Sequence, residues 1–196
     1  MVDRFLTHLP IGGPSVPFEG GIPGWEIFPF TGDLHVKPLE EPVLPEPARD
    51  GEDGPESCST CRDPMRNVVW SDEHWRLRHL GGPSAVPMTL LLWPAGHYDS
   101  SDLPPERAAE LFPLAQRIER AMTALGGVAR VHMMKVGDGA AHLHLWFMAR
   151  PAGLGQLRGS CLALWDDILP KQDEAQWRAA LAEVAAALAA DGGTAH

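Results

Sequence analysis

Residues 137–150 read GDGAAHLHLWFMAR. His142 and His144 alternate in an otherwise apolar stretch, and Trp146 occupies the next alternate position. Because successive side chains of a β-strand face opposite sides, these three would share one face, while the intervening leucines and phenylalanine would form a core face. The stretch therefore predicts a strand that presents two imidazoles away from the core, toward a pocket or cleft.

An alternating imidazole pair is compatible with three interpretations: a nucleophile or proton-transfer pair, a pair of metal ligands, or two satisfied surface histidines. So short a motif does not decide among them. The sequence CSTC places Cys58 and Cys61 at a spacing that lets two thiolates bind one ion from a tight turn. The same spacing also occurs in redox pairs.

His97, in WPAGHYDS, directly follows an apolar run that has the length of a buried strand. Two cysteines and two histidines make up a complete tetrahedral zinc set. Together with the CSTC pair, the histidines therefore favour a metal site over two unrelated surface residues.

The composition restricts the possible ligands. The chain has 196 residues and a formal net charge of −10, which argues against nucleic-acid binding because such binding needs a basic surface. A small phosphorylated ligand remains compatible, since a few arginines suffice for a locally positive pocket. No apolar run is long enough to span a membrane, and the first residues, MVDRFLTHLP, lack the layout of a signal peptide. We expect no membrane partner and a cytoplasmic location.

The distribution of prolines and glycines predicts the domain organisation. Residues 1–56 are rich in proline, glycine and acidic residues without a sustained period, which predicts an irregular arm and an acidic linker. Residues 57–170 form the predicted main domain, and residues 171–196 a C-terminal helix that packs on it.

The main domain alternates strand and helix patterns typical of an α+β fold. NVVW and HWRLRH predict a hairpin, PMTLLLWP a buried strand, and VARVHMMKV with AAHLHLWFM two further strands around a glycine turn. A long helix is expected with Asp102 as its N-cap and the glycine pair 126–127 at its end, and a second helix with Asp173 as its N-cap. Trp70, Trp75 and Trp93 are predicted to lie in the core.

This order of features resembles the histidine triad (HIT) superfamily over roughly residues 56–152. The closest resemblance within it is to the zinc-containing branch that includes galactose-1-phosphate uridylyltransferase. The resemblance consists of the CxxC pair, the hairpin, LLLWPAGH, DLPPERAAEL and a strand ending in HLHLWFMARP. The family signature is three alternating histidines with an arginine four residues past the third. Arg150 sets that register, so Trp146 stands at the third position.

The resemblance implies a HIT-like antiparallel sheet with one long helix and a C-terminal helix, preceded by the arm. It also implies a structural zinc ion held by Cys58, Cys61, His97 and His142. His144 takes the place of the family's nucleophile, which attacks the α-phosphate of a nucleotide to give a covalent nucleotidyl-histidine. A homodimer is implied as well.

The sequence departs from the family pattern around the phosphate. Trp146 replaces a histidine or glutamine, and its indole offers one N–H donor and no acceptor. Gly137 and Gly139 retain backbone amides that can donate to an anion. Arg150 and Arg158 can supply positive charge to the ligand.

The resulting functional hypothesis is a zinc-containing nucleotidyl hydrolase or transferase that acts through a nucleotidyl-histidine on a small phosphorylated ligand. The alternative is a catalytically inactive ligand- or partner-binding protein built on the same zinc-stabilised scaffold. In a third interpretation the metal is catalytic and keeps one coordination position open for water.

Overall fold

Six antiparallel strands form one open sheet in the computed structural model, which describes residues 27–30 and 38–196. The strands are β1 (Val68–Ser71), β2 (Trp75–His79), β3 (Met88–Pro94), β4 (Val128–Met134), β5 (Leu145–Pro151) and β6 (Thr194–Ala195). Their order across the sheet is β4-β5-β3-β2-β1-β6, with every neighbouring pair antiparallel. The predicted α+β class with an antiparallel HIT-like sheet is confirmed.

Two long helices cover one face of this sheet. The helices are α1 (Ser59–Arg62), α2 (Pro105–Ala124), α3 (Leu162–Ile168) and α4 (Glu174–Ala190). Helices α2 and α4 contact each other and the sheet, whereas the short α3 lies against β5. No helix within the described ranges is long and apolar enough to cross a membrane.

The chain divides into two units, Met1–Pro47 and Ala48–His196. In the first unit, the rings of Phe28 and Phe30 meet edge to face with their centroids 5.6 Å apart. The second unit contains the sheet and the helices. Within it, the Asp50 amide donates to the carbonyl of Gly139 at 3.1 Å.

The core lies between the sheet and the two long helices. Leu145, Phe147 and Ala149 of β5 face it, as strand alternation predicts, and Ile118 of α2 and Trp177 of α4 close it from the other side. Deleting a side chain such as Trp177, which is 1% exposed, would cost about 3–5 kcal/mol. This packing fixes β5 and thereby the segment just ahead of it.

Trp70, Trp75 and Trp93 are all buried, as predicted, but they lie on two different faces of the sheet. Trp70 and Trp75 belong to the core cluster, but Trp93 does not. It is only 2% exposed, yet it alternates with the core-facing Leu92 of β3 and therefore lies on the opposite face of the sheet. Trp93 is therefore buried by contacts on the face of the sheet away from the long helices.

The start of α2 also differs from expectation. The helix begins at Pro105 with Pro104 as its N-cap, and the Asp102 carboxylate instead accepts a hydrogen bond from the amide of Asp99 at 2.6 Å. Prolines suit the first turn because those amides lack intrahelical partners in any case. Asp173, by contrast, caps α4 as predicted and accepts from the amide of Gln176.

Strand β5 begins later than the sequence pattern suggests. Its first residue is Leu145, so His142 and His144 precede the ladder. The amide of Leu143 donates to the carbonyl of Tyr98, and that of Ala141 to the carbonyl of Asp50. Because this segment bonds to loops instead of to a neighbouring strand, its side chains enter a site that the loops build.

Candidate zinc centre and adjoining cavity

Four side chains from three separate parts of the chain meet beside the start of β5. Cys58 precedes α1, Cys61 lies within it, His97 follows β3, and His142 precedes β5. One donor atom from each lies within 4.8 Å of the others. Cys58 and His142 are buried at 0% and 3% exposure, so the cluster is closed from solvent on that side.

The spacing of these atoms fits a tetrahedral zinc site. The Sγ atom of Cys61 lies 3.3 Å from Nδ1 of His97 and 3.5 Å from Nδ1 of His142, and Sγ of Cys58 lies 3.5 Å from the same His142 nitrogen. With Zn–S of about 2.3 Å and Zn–N of about 2.0–2.1 Å, a tetrahedral site has S···N edges of about 3.6 Å. The four residues therefore fit the ion that this donor set prefers.

Both imidazoles are oriented by main-chain carbonyls. Nε2 of His142 lies 2.9 Å from the carbonyl oxygen of Pro94, and Nε2 of His97 lies 3.1 Å from that of Gly51. A carbonyl oxygen only accepts, so each Nε2 carries the hydrogen and each Nδ1 keeps its lone pair toward the cluster. Such outer hydrogen bonds fix the tautomer and raise the basicity of a ligating imidazole.

The CxxC turn is held by a carboxylate outside it. Asp50 accepts hydrogen bonds from the amide of Ser59, at 3.1 and 3.0 Å, and from its hydroxyl at 2.6 Å. The bond from the Ser59 hydroxyl holds the pKa of Asp50 below its usual range. Asp50 thus stays ionised and fixes the turn between the two cysteines.

The pKa values of two of these residues suit a site that binds a cation. Burial, together with the neighbouring Cys58, raises the pKa of Cys61 to about 11. Burial lowers the pKa of His142, which keeps its imidazole neutral and able to ligate. A zinc ion binds thiolates and neutral imidazoles, so it would displace the thiol protons.

The donor set leaves no coordination position for a substrate water. Structural zinc sites use four protein ligands, whereas catalytic sites use three and keep one position open. Cys58, Cys61, His97 and His142 supply all four. The interpretation of a catalytic metal is therefore replaced by that of a structural one.

His144 lies next to this cluster but outside it. Its Nδ1 lies 2.9 Å from the carbonyl oxygen of His142. Since that oxygen only accepts, Nδ1 carries the hydrogen, and Nε2 of the neutral ring holds the lone pair. This tautomer is the one that an imidazole nucleophile attacking through Nε2 requires.

A cavity of about 260 Å³ opens beside His144 on the face of the sheet opposite the long helices. We call it the His144 cavity. It is lined by Asp50, Ser59, Thr60, Arg78, Leu91, Trp93, Gly139, Ala140, His142, His144 and Trp146. Leu91 pairs with Arg78 of β2 on one side and with Trp146 of β5 on the other, so these three form one row across the sheet.

The cavity presents donors more than acceptors. The guanidinium of Arg78 lies 3.3 Å from the centroid of the Trp93 ring and forms no ion pair with any residue in the described ranges. Burial lowers the pKa of Arg78 to about 10, which leaves the group cationic at neutral pH. The indole nitrogens of Trp93 and Trp146 are buried and lack an acceptor within residues 27–30 and 38–196. A bound ligand that accepts hydrogen bonds would satisfy them.

Comparison with solved structures gives the fold its identity. A Zn-bound histidine triad family protein from Mycobacterium smegmatis superimposes with a TM-score of 0.52 at 22% identity, covering 70% of this chain and 99% of that one. A hypothetical histidine triad nucleotide-binding protein from Sulfolobus tokodaii gives 0.51 at 14% identity, covering 67% and 91%. A uridylyltransferase mutant gives 0.50 at 18% identity, covering 68% of this chain and 48% of that one.

This chain has the histidine triad fold. No protein-family model matches the sequence, and the comparison with curated proteins finds no match either. The predicted resemblance is therefore confirmed at the level of three-dimensional structure.

Within the histidine triad fold, only part of the predicted ligand-binding set lines the His144 cavity. Gly139 and Trp146 do so. The Gly137 carbonyl accepts from Arg49 at 3.0 Å. Arg150 donates to the carbonyls of Pro151 and Leu154, and Arg158 to that of Gly155, and neither arginine is among the residues that line the cavity.

Arg78, Trp93 and Asp50 line the cavity of this histidine triad fold although none of them was predicted to belong to the site. The alternation in HWRLRH carried the signal for Arg78, because it places the two arginines of β2 on the face opposite Trp75 and Leu77. Asp50 gave no signal, since its segment resembles a solvated linker. Only the folded chain brings Asp50 beside Ser59.

Proposed function

We propose that this protein is a zinc-containing nucleotidyl hydrolase or transferase that acts through a covalent nucleotidyl-histidine on His144. The observation that carries the proposal is the hydrogen bond from Nδ1 of His144 to the carbonyl oxygen of His142. This bond leaves the lone pair on Nε2 of His144, which lines the His144 cavity. A nucleophile held in one tautomer and orientation lowers the entropic part of the barrier.

In the proposed reaction, the lone pair on Nε2 attacks the phosphorus of a bound nucleotide in line with the bond to the leaving group. The positive charge that develops on the ring is stabilised by the bond from Nδ1–H to the His142 carbonyl. Water or an acceptor hydroxyl then attacks the same phosphorus from the leaving-group side and releases its proton to bulk water. The electron pair of the N–P bond returns to Nε2, which completes a double displacement.

The Cys2His2 cluster serves this reaction indirectly. When bound, zinc supplies a structural cross-link between the CxxC turn, the loop after β3 and the segment before β5. His142 belongs to the cluster, and its carbonyl holds His144. Ligand geometry at the cluster therefore determines where the nucleophile lies.

The proposed ligand is a small phosphorylated molecule of the nucleotide class. Arg78, which forms no ion pair within the described ranges, and the two buried indole N–H groups favour an anionic, acceptor-rich ligand. Among the structures with the same fold, one is named a nucleotide-binding protein and another a uridylyltransferase. Those names and the His144 cavity together support a nucleotide over other anions.

The test is covalent capture. The zinc-loaded protein is incubated with adenine, uracil and guanine nucleotides, quenched in base to preserve phosphohistidine, and analysed by intact-mass and peptide mass spectrometry. We expect a nucleotidyl adduct on His144 that is lost in His144→Gln. The matched control is His132→Gln, a histidine of β4 outside the cavity, which should retain the adduct. Absence of any adduct across the panel would refute the enzymatic proposal.

A specific observation favours the second candidate, a binding protein without turnover. Trp146 lines the cavity beside His144, and its bulk narrows the space for a phosphate. In this case nucleotides would bind, as measured by calorimetry, without forming an adduct or being converted. Trp146→Gly should then increase nucleotide affinity.

We further propose a homodimer built on the edge of the sheet that β4 forms in the described part of the chain. Strand β4 is an edge strand, and Met133 on it and Phe112 on α2 are exposed at 45% and 62%. A second copy of this chain would cover both apolar side chains and pair the open edge. Light scattering should give twice the chain mass, and Phe112→Glu with Met133→Glu should give the monomer mass. A wild-type monomer at micromolar concentration would rule the homodimer out.

A further inference from the structure

We propose that Arg49 is a positioning residue for attack by His144. Its guanidinium, anchored to Asp99, fixes the loop of residues 137–141, which runs into the nucleophile. The inference rests on the proposed function, namely a nucleotidyl-histidine on His144. It extends the site to residues 49–52, which precede the part of the chain that resembles the histidine triad superfamily, and it gives a role to an ion pair that takes no part in the displacement itself.

One guanidinium joins three segments of the chain. Nη1 of Arg49 donates to the Asp99 carboxylate at 2.7 Å and to the carbonyl of Gly137 at 3.0 Å. Its Nε and Nη2 donate to the Glu52 carboxylate. The side chains of Arg49 and Asp99 are 27% and 18% exposed, so water screens this ion pair only in part. Because a guanidinium carries its donors in a rigid plane, the contacts fix both its position and its orientation.

Asp99 is itself anchored on a second side. It lies in the loop between β3 and α2, and its Oδ1 lies 3.4 Å from Nζ of Lys135, which directly follows β4. The same oxygen accepts a hydrogen bond from the amide of Ser100 at 2.6 Å. The Lys135 ammonium lies against the loop, since a Cβ added to Gly137 would be 2.6 Å from its Nζ. Two cations therefore converge on one carboxylate at the first residue of the loop.

The backbone next to Arg49 holds the middle of the same loop. The amide of Asp50 donates to the carbonyl of Gly139 at 3.1 Å, and its carbonyl accepts from the amide of Ala141 at 2.9 Å. These two bonds form a parallel bridge between Asp50 and Ala140. Arg49 and Asp50 therefore engage two carbonyl oxygens of the loop, one through a side chain and one through the backbone.

The loop that these contacts fix forms one side of the His144 cavity. Gly139 and Ala140 line the cavity, and the same stretch of chain continues into His144. A carbonyl oxygen that turned into the cavity would repel an anionic ligand, because the peptide dipole makes it negative. A misplacement of about 1 Å between reacting groups can cost about 100-fold in rate. The rate of attack should therefore depend on Arg49, although Arg49 touches neither ligand nor nucleophile.

The experiment measures the rate of adduct formation on His144 by rapid quench and mass spectrometry, with zinc content and Tm determined on the same zinc-loaded preparations. Arg49→Ala should keep one zinc ion per chain and slow adduct formation at least about tenfold. The matched control is Arg62→Ala. It removes an exposed arginine of α1 that donates to the carbonyl of Glu56 at 3.3 Å, and it should react at the wild-type rate.

Two further measurements separate positioning from a general loss of structure. Millimolar guanidinium chloride can occupy the space that Arg49→Ala leaves and should raise the rate of this variant several-fold, whereas sodium chloride at equal ionic strength should not. Asp99→Asn should slow the reaction as well. The double variant Arg49→Ala/Asp99→Asn should be no slower than the slower single variant, since both substitutions break the same contact.

The outcomes separate this inference from the proposed function. An unchanged rate in Arg49→Ala would overturn the role of Arg49 and leave the nucleotidyl-histidine intact. A rate that falls in proportion to zinc content would do the same, since Arg49 would then act through the metal. No acceleration by guanidinium, or additive effects in the double variant, would overturn the anchoring by Asp99. No adduct in the wild type with any nucleotide would overturn the proposed function and this inference with it.

Discussion

Nδ1 of His144 lies 2.9 Å from the carbonyl oxygen of His142, so the nucleophile proposed here is held by the backbone of a residue in the zinc cluster. His142 in turn is fixed by its Nε2 contact with the carbonyl of Pro94. These two hydrogen bonds therefore link the end of β3, the cluster and the cavity. Substitutions in the cluster should therefore change the position or orientation of His144, although His144 is not one of the four ligands.

The first prediction concerns the metal. His97→Ala should reduce the zinc content from one ion per chain to less than half, and should lower the free energy of unfolding by about 3 kcal/mol or more, which is about 6–12 °C in Tm. It should also slow adduct formation on the unaltered His144. Metal analysis, calorimetry and the capture assay measure the three effects. His74→Ala, outside the cluster, serves as the matched control, and equal zinc content in both variants would contradict the assignment.

The second prediction uses a pair of glycines near the cluster. Gly51 has φ +80°, and an added Cβ would lie 2.9 Å from both Cβ of Cys58 and Cε1 of His97. Gly54 has φ +115° with open space around it. Both alanine variants should lose about 1 kcal/mol or more of stability because of the positive φ.

Only Gly51→Ala should weaken zinc binding as well, because its methyl group displaces two ligands. A competition titration with a chromophoric chelator gives the affinities. The interpretation of Gly51 fails if the two variants bind zinc equally well.

The third prediction concerns the carboxylate behind the CxxC turn. Asp50→Ala removes the acceptor for three hydrogen bonds from Ser59 and should reduce zinc affinity by about 10–100-fold, the usual effect of losing an outer-shell partner. Ser59→Ala loses only the hydroxyl contact and should show a smaller reduction. The reverse order of the two effects would show that Asp50 acts through some contact other than the turn.

The fourth prediction is a pH dependence at His79, where β2 meets α4. Its ring packs edge-on against Trp177 with centroids 4.9 Å apart, and its Nδ1 accepts from the amide of Gly81 at 2.9 Å. Burial, with smaller contributions from Arg178 and Arg78, lowers the pKa of His79. The neutral ring is the one that the fold uses, since a protonated Nδ1 has no lone pair to accept with.

The sign follows from proton linkage. A histidine whose pKa is lower in the folded chain contributes stability that is present above the unfolded pKa of about 6.5 and is lost as the pH falls below it. The difference in unfolding free energy between wild type and His79→Gln should therefore be constant at pH 7–8 and shift in favour of the variant toward pH 5. Urea melts at half-unit intervals measure it. A difference that stays flat across this range would contradict the assignment.

Much of this architecture was predictable from local patterns. Strand alternation around Phe147, the apolar run of β3 and the capping of α4 by Asp173 each rest on nearest-neighbour physics, and each appears in the structure. The convergence of the CxxC pair with His97 and His142 was inferred from ligand chemistry together with the family resemblance. That inference is confirmed, since one donor atom from each of the four residues lies within 4.8 Å of the others. Thiolate and imidazole are the donors that suit zinc.

What the sequence did not reveal depends on contacts between distant segments. The sequence pattern places Asp50 in an acidic linker, and only its contacts with Ser59 and Gly139 show that it supports the site. Trp93 is buried as predicted, but the sequence pattern did not show that it lies beside the guanidinium of Arg78 on the face of the sheet away from the long helices. Arg150 set the family register, but its own side chain bonds to nearby carbonyls.

The sheet separates residues that stabilise the hydrophobic core from residues that border the His144 cavity. Phe147 and Trp146 are adjacent in the chain, yet one is locked into the hydrophobic core and the other borders the cavity. A substitution at Trp146 can therefore alter the chemistry of the site with little effect on the stability of the fold. A substitution at Phe147 can lower the stability with little effect on that chemistry. In such a scaffold, substitutions at alternate residues of one strand can change the substrate while the hydrophobic core stays unchanged.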